Sequence, residues 1–409
     1  MKKVLFVIRS LGGGGAERTL SNIVTHFPPD WDIDILVNHE NLVQYPYKGN
    51  ILSLDLVSDK RTSPLFITKE IWIKTRYLKR LKKEKHYDVV LSFLDTSNIA
   101  NILSGNKYSK NVISVHVNMF AKEAKLLYKV GAFFLFKLIY NRADRIITVS
   151  KEIERELLLR NPKLATITKT IVNGYDCREI MECASEEPEN NIDINDAKLV
   201  VTVGRLNEQK GQWHLIRAFS RVVEQVPDAY LLILGTGELL QYLQQIISAL
   251  HLEKNVLLAG YCENPFWYEA KAQMFVMPSM YEGYPNALAE AICCGVPCIA
   301  TDFHSGAREI LAADLEDVKA KVDSIVELEY GILTPLCSGK RYHGCEALEP
   351  AEECLAEAIL MLLTDHEKRE HYVQQCIKRR EQLGIDSVIR EWVGVFEELS
   401  STNIDGDRI

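Results

Sequence analysis

Long hydrophobic runs are missing from this 409-residue chain. A spanning helix needs about 18 or more consecutive apolar residues. The nearest stretch, 126–140, is broken by Lys129 and Lys137. The apolar run Val4–Ile8 after Met-Lys-Lys is too short for a signal peptide, so a cytoplasmic chain is expected. Glycine and proline are sparse, at 22 and 13, which excludes collagen-like and Pro/Gly-rich disordered chains. The ten cysteines are irregularly spaced and no Cys-x-x-Cys occurs, so neither a disulfide framework nor a zinc site is expected, only buried reduced thiols. The phosphate-loop signature Gly-Lys-Ser/Thr is absent. The dinucleotide fingerprint Gly-x-Gly-x-x-Gly also fails, because Glu17 or Arg18 stands where its third glycine belongs.

What is present is two domains' worth of alternating elements. Short runs rich in Val, Ile and Leu at 4–8, 33–37, 51–56, 88–94, 111–117, 145–150 and 168–172 read as strands apolar on both faces. Helical patterns at 16–27, 67–85, 122–142 and 151–160 lie between several of them. After an acidic, Pro-interrupted segment the pattern restarts with strands at 199–203, 230–234, 255–260, 274–277 and 297–300. Helices fit 211–225, 239–250 and 285–294, and the end is helical over 350–363, 366–381 and 386–399. The expected organisation is a doubly wound domain over 1–181, a linker over 182–197, and a second doubly wound domain over 198–383. A terminal helix within 384–409 crosses back to the first.

Charge divides along the same line. Residues 1–175 carry 28 Lys and Arg against 16 Asp and Glu, a net of +12, and the remainder carries 20 against 40. The first half is expected to face something anionic. Residues 60–85 alone hold ten basic and two acidic side chains, with Trp72 and Tyr77 interleaved. In 122–145, Lys122, Lys125 and Lys129 accompany Phe133 and Phe134 at helical spacing, a pattern that reads as attachment to an anionic membrane surface. For 67–85, membrane attachment and a solvated basic face are equally compatible with the pattern. No nucleic-acid module is recognisable, and nucleic acid is not an expected partner.

Three loops carry candidate chemistry. Gly12–Gly15, between the first strand and a helix, lets the backbone approach a ligand and offers helix-start N–H groups to an anion, with Gly14 and Gly15 the candidates. Gly204-Arg205-Leu206-x-x-x-Lys210-Gly211 puts two cations five residues apart after a strand, so both can converge on one diphosphate. Pro278–Ala291 runs from a strand into a helix and contains Glu282 and Glu290. Eight residues of continuous helix would set those carboxylates about 12 Å apart. A retaining glycosidase needs its pair at about 5 Å, so two separate tasks on one ligand is the better reading.

Taken together and in this order, the glycine-rich first loop with Ala16-Glu17, the Arg205/Lys210 loop and the Glu-x7-Glu spacing resemble the retaining, nucleotide-sugar-dependent glycosyltransferases of family four. The resemblance covers essentially the whole chain. It implies the GT-B fold, two Rossmann-like domains facing across a cleft. The Gly-Gly-Ala-Glu-Arg opening is similar to bacterial members that extend polyprenyl-diphosphate-linked, capsular or O-antigen saccharides.

The resemblance also implies roles. Arg205 and Lys210 would hold the donor diphosphate, Glu290 the ribose, and Glu282 with Gly283, Tyr284, Pro285 and Asn286 the donor sugar. His116 would stand beside the reacting sugar. Gly235 would belong to the donor loop, and Tyr261 to the place of the base. The expected reaction moves a hexose or N-acetylhexosamine from a UDP-sugar, without a metal or other cofactor, to a lipid-linked saccharide at the inner face of the membrane. A transferase with a soluble acceptor and a nucleotide-sugar 2-epimerase are the alternatives on the same fold. A catalytically silent scaffold is disfavoured because Arg205, Lys210, Glu282 and Glu290 are all present.

Overall fold

The computed structural model describes residues 2–56, 64–116, 139–188, 192, 194, 198–303, 305–314, 321–344 and 346–401. They form two compact units, residues 1–174 with 385–409, and 175–384.

The first unit is built on a seven-stranded sheet: β1 (Lys3–Val7), β2 (Asp32–Val37), β3 (Asn50–Ser53), β4 (Val89–Phe93), β5 (Lys110–Val115), β6 (Arg145–Thr148) and β7 (Thr168–Thr170). The order is β3-β2-β1-β4-β5-β6-β7, all parallel. Successive side chains of a strand point to opposite faces, and β1 shows why it had to be apolar throughout. Val4 and Phe6 enter one core layer, while Leu5 and Val7 enter the other. Helices α1 (Gly15–His26), α2 (Pro64–Lys85), α3 (Asp95–Leu103) and α4 (Lys151–Arg160) complete the wound layers.

The buried stripe of α2 is not purely apolar. Leu78 and Leu81 pack in the core, but Glu70, Lys74 and Lys82 are also buried. The Lys82 ammonium is caged by Asn101 O, Asn101 Oδ1, Gly105 O and Asn111 Oδ1 at 2.6–3.2 Å, and burial pushes its pKa down to about 7. The outer face of α2 carries Lys69, Arg76, Lys79, Arg80 and Lys83 around Trp72, which is 59% exposed. The expected helix over 122–142, with Lys122, Lys125, Lys129, Phe133 and Phe134, lies outside the described residues up to 138. Residues 140–142 form a 3₁₀ turn with Tyr140 buried.

The second unit begins with α5 (Cys177–Ser185) and has its own seven strands: β8 (Lys198–Val203), β9 (Ala229–Leu234), β10 (Val256–Gly260), β11 (Met274–Met277), β12 (Cys298–Thr301), β13 (Val326–Leu328) and β14 (Gly331–Thr334). Their order is β10-β9-β8-β11-β12-β14-β13, parallel except for β13, which pairs antiparallel with β14. The helices are α6 (Gln212–Gln225), α7 (Leu240–Ala249), α8 (Phe266–Lys271), α9 (Asn286–Cys293), α10 (Ala307–Leu311), α11 (Pro350–Thr364) and α12 (His366–Gln382). The last helix, α13 (Ile385–Ser401), belongs to the first unit. Its Ile385, Val388, Ile389, Trp392, Val395, Phe396 and Leu399 recur at three/four spacing and enter the core layer of Val4 and Phe6. Each such side chain, fully buried, is worth about 1.5–3 kcal/mol of transfer free energy.

The boundary differs from the sequence expectation. It falls between Gly174 and Tyr175 and not in 182–197, because 177–185 is a helix packed on α8 and α9 of the second unit. Polar composition marked a connector, but the change of unit occurs where the two crossings of the chain meet: Tyr175 bridges Gly384, with Tyr175 N donating to Leu383 O at 3.0 Å.

Candidate active site

In an open parallel sheet, ligands bind outside the carboxyl ends of the strands where the order reverses. In the second unit that point lies between β8 and β11, and the loops leaving these two strands carry the second and third sequence motifs.

The two loops are locked together. Met280 N donates to Gln209 O at 2.7 Å, and Gln209 Nε2 donates to Tyr281 O at 3.0 Å and Glu282 Oε2 at 2.9 Å. Lys210 Nζ meets Glu282 Oε1 at 2.7 Å, and Ser279 Oγ donates to the same oxygen at 3.0 Å. The ion pair is largely withdrawn from water, with side chains 20% and 10% exposed. Glu282 is therefore a carboxylate fixed by a cation, a hydroxyl and an amide. Lys210 retains N–H donors beyond the one that Glu282 takes, in a fixed orientation.

Arg205 projects to the surface from the same loop, whose path is set by Gln212 Nε2 donating to Arg205 O at 2.9 Å. Helix α6 starts directly behind Lys210 without a side-chain cap, so its first N–H groups add to the positive character there.

The neighbouring loops complete the wall. Gly235 follows β9 with φ +145°, and a Cβ there would overlap Gly204 O, so only glycine lets the two backbones approach this closely. Leu206 N donates to Thr236 O at 2.9 Å. After β10, Gly235 N donates to Gly260 O at 2.7 Å, and the next residue, Tyr261, is 79% exposed, an open aromatic face beside this loop. After β12, Ser305 Oγ donates to Glu282 O at 2.5 Å, which fixes the backbone just before Gly283.

Helix α9 holds the remaining donor candidates. Tyr284 and Pro285 are buried at its start, and Asn286 Oδ1 accepts from Tyr175 OH at 2.7 Å. Glu290 is half-buried on the same helix. Beneath it lies Glu269, buried and held well above the carboxylate range by burial and then by the charge of Glu290, with Cys294 Sγ 3.6 Å from its Oε2. Glu269 is thus favoured in its protonated form. Gln209, Ser279, Ser305 and Glu269 were not singled out from sequence. Only Glu269, a lone acid between Tyr268 and Ala270 in an apolar stretch, left a signal there.

In the first unit the corresponding switch point lies between β1 and β4, where Gly12–Gly15 follows β1. Gly14 stands at the N-cap of α1, and Glu17 folds back onto it. Its Oε1 accepts from Ser10 Oγ at 3.2 Å, and a Cβ on Gly14 would collide with its carboxylate. The negative group nearest this helix start is Glu17 itself. Next to the loop lies a buried network unseen from sequence. Glu70 Oε1 accepts from Asn38 Nδ2 at 3.0 Å, Thr96 Oγ1 at 3.3 Å and Lys74 Nζ at 3.2 Å, and Arg9 stands 3.5 Å from Oε2. His116 follows β5, with Nε2 2.9 Å from Ser114 Oγ and its ring 5.3 Å from that of Phe93. Burial pushes its pKa down to about 3, so the imidazole is neutral near pH 7.

Among the described residues, two groups of potential metal ligands also hydrogen-bond within the protein. Asp32-Ile33-Asp34 lies within β2, and Asp34 accepts from Tyr87 OH and Asn50 Nδ2. Atoms of His214, Cys337 and Glu349 lie within 4.8 Å of one another. Glu349 already accepts from Ser338 N, Ser338 Oγ and Tyr342 OH, while His214 Nδ1 is 2.7 Å from Glu352 Oε1.

Comparison with known proteins bears on the family and the fold. Residues 13–179 match the model "Glycosyltransferase Family 4", and 185–336 match "Glycosyl transferases group 1". A glycosyltransferase of Methanocaldococcus jannaschii is 31% identical over 356 residues, covering 84% of this chain and 87% of that protein. The Campylobacter jejuni N-acetylgalactosamine-N,N'-diacetylbacillosaminyl-diphospho-undecaprenol 4-alpha-N-acetylgalactosaminyltransferase is 29% identical, covering 82% of this chain and 90% of the relative. Among solved structures, Anabaena HepE in complex with UDP and glucose superimposes with a TM-score of 0.70 at 17% identity, covering 97% of this chain and 100% of that one. With its two Rossmann-like units and its Lys210/Glu282 switch point, the chain belongs to the family-4 glycosyltransferases of the GT-B fold.

Proposed function

We propose that this glycosyltransferase moves a hexose or N-acetylhexosamine from a UDP-sugar, with retention of configuration, to a polyprenyl-diphosphate-linked saccharide at the inner membrane face. The observation that carries the donor half is the Lys210–Glu282 pair at the β8/β11 switch point, with Arg205 in the same loop. Lys210 and Arg205 bind the donor diphosphate and stabilise the charge that grows on it as the glycosidic bond breaks. Glu290 accepts hydrogen bonds from the ribose, Tyr261 lies beside the base, and Glu282 with the Gly283–Asn286 backbone holds the sugar. The departing diphosphate takes the acceptor's proton on the same face, so neither a protein nucleophile nor a metal is needed. His116, in the first unit, is neutral near pH 7 and offers a hydrogen-bonding group and not a charge.

Two observations support the acceptor half. The Campylobacter relative's name specifies a diphospho-undecaprenol acceptor. The outer face of α2 also combines exposed Trp72 with Lys69, Arg76, Lys79 and Lys83, suited to reversible, salt-sensitive attachment to an anionic surface. Among the described residues no helix is long and apolar enough to cross a membrane.

The test is a donor screen by nucleotide release, with membrane lipid extract as acceptor and the product read by mass. The proposal requires a lipid product one sugar heavier. Transfer to a water-soluble acceptor alone would replace the acceptor half of the proposal. Donor turnover without an acceptor, leaving an epimerised sugar, would replace the transfer itself.

A further inference from the structure

Two thiols outside the donor pocket stand almost within bonding distance. Cys177 Sγ and Cys293 Sγ are 2.9 Å apart, whereas a disulfide needs about 2.05 Å. Their positions differ in a way that suits stepwise oxidation. Cys177 is the first residue of α5, half-buried, with the helix N-terminus behind it. Cys293 is the last residue of α9 and fully buried.

The surroundings separate their acidities. The hydrogen bond from Cys293, together with the Arg380 guanidinium, lowers the Cys177 thiol pKa against the opposing effects of burial and Asp176. Cys293 is pushed up by the same bond and by burial, so the proton stays on Cys293. Among the described residues, the buried Arg380 Nε has no hydrogen-bond partner.

We propose that Cys177 and Cys293 are a redox modification site, closing to a disulfide under a peroxide or a disulfide oxidant and thereby weakening donor binding. With hydrogen peroxide, the Cys177 thiolate attacks one peroxide oxygen, the O–O bond breaks, and the released hydroxide takes up a proton as water. The resulting sulfenic acid then reacts with the Cys293 thiol, forming the S–S bond and releasing a second water. Two thiols lose two hydrogens, and one peroxide is reduced to two waters. A thiol reductant reverses the change.

The link to the site is short. Segment 175–177 grips α9 at both ends, through Tyr175 OH on Asn286 and through Cys177 on Cys293. Glu290 lies between these grips, three residues before Cys293. Closing the sulfur gap draws the end of α9 by up to about 0.9 Å relative to α5, enough to misplace a ligand-holding carboxylate.

This consequence rests on the donor reading above. The experiment treats the full-length protein with hydrogen peroxide or oxidised glutathione, maps peptides by mass spectrometry, and measures UDP affinity by calorimetry before and after reduction. Expected are a Cys177–Cys293 cross-linked peptide, a UDP Kd raised about tenfold, and recovery with a thiol reductant. Cys177→Ser places a serine at the first position of α5, so the protein remains folded, binds UDP as the reduced wild type does, and ignores the oxidant. Absence of the cross-link, a cross-link that leaves the Kd unchanged, or equal oxidant sensitivity in Cys177→Ser overturns the proposal. Failure of the reduced wild type to bind UDP would count instead against the donor site itself.

Discussion

Replacing Lys210 by Met keeps most of the aliphatic stem and removes only the ammonium. Glu282 is then left 10% exposed, with Ser279 Oγ and Gln209 Nε2 as side-chain donors and without the Lys210 cation. Leaving one partner of a fully buried pair uncompensated costs about 3–5 kcal/mol. This pair is partly hydrated and two neutral donors remain, so about 1–3 kcal/mol is expected here. Turnover should fall by about 10²-fold or more, equivalent to about 2.7 kcal/mol of transition-state stabilisation.

The decisive variant is the double one, Lys210→Met with Glu282→Gln. A neutral amide in place of the orphaned carboxylate should return stability to within about 1 kcal/mol of wild type. Activity should stay low, because the cation facing the leaving group is still missing. Urea unfolding measures the first quantity and nucleotide release the second. Wild-type turnover in folded Lys210→Met would falsify the donor assignment. So would recovery of turnover in the double variant, since the pair would then be a structural clasp.

Other outcomes follow from the same geometry. Glu290→Gln should mainly weaken UDP binding, read by calorimetry, whereas Glu282→Gln should also slow the chemical step. An unchanged UDP Kd in Glu290→Gln would refute this division of labour. Gly235→Ala places a methyl against Gly204 O at φ +145° and should lower both the melting temperature and UDP affinity, with strain of order 1–3 kcal/mol. His116 is held near pKa 3 when folded, against about 6.5 when unfolded. Above pH 6.5 both states are neutral there and stability is unaffected. As pH falls from 6.5 towards 3, only the unfolded chain takes the proton, so stability declines by up to about 1.4 kcal/mol per pH unit. Unfolding His116→Gln at pH 5 and pH 7 should show a shallower acid loss than wild type, and an equal loss would place the titration elsewhere.

Much of the architecture was legible because local pattern and fold demand the same thing. A strand covered on both faces must be apolar at every position, and Val4–Val7 and Leu231–Leu234 announced themselves that way. The three/four spacing of α13 likewise marked a buried stripe. Short elements gave no such pattern. The five-residue α10, the six-residue α8 and the β13–β14 hairpin are stabilised by neighbours distant in sequence. The expected boundary at 181/182 cuts through α5, because the half-polar sequence of this helix does not reveal which unit it packs on.

For the candidate site, sequence alone pointed to the loops, since glycines, paired cations and the two glutamates fall directly after strands. Only the tertiary structure decided their chemistry. Lys210 and Glu282 are 72 residues apart yet form an ion pair, because β8 and β11 are sheet neighbours. The same long-range packing joins Cys177 to Cys293 across 116 residues and buries Glu269 beneath Glu290. It also keeps His116 neutral and turns Lys74 and Lys82 inward, where composition had counted them as surface charge. Protonation state and pairing depend on distance and desolvation, and a linear sequence carries neither.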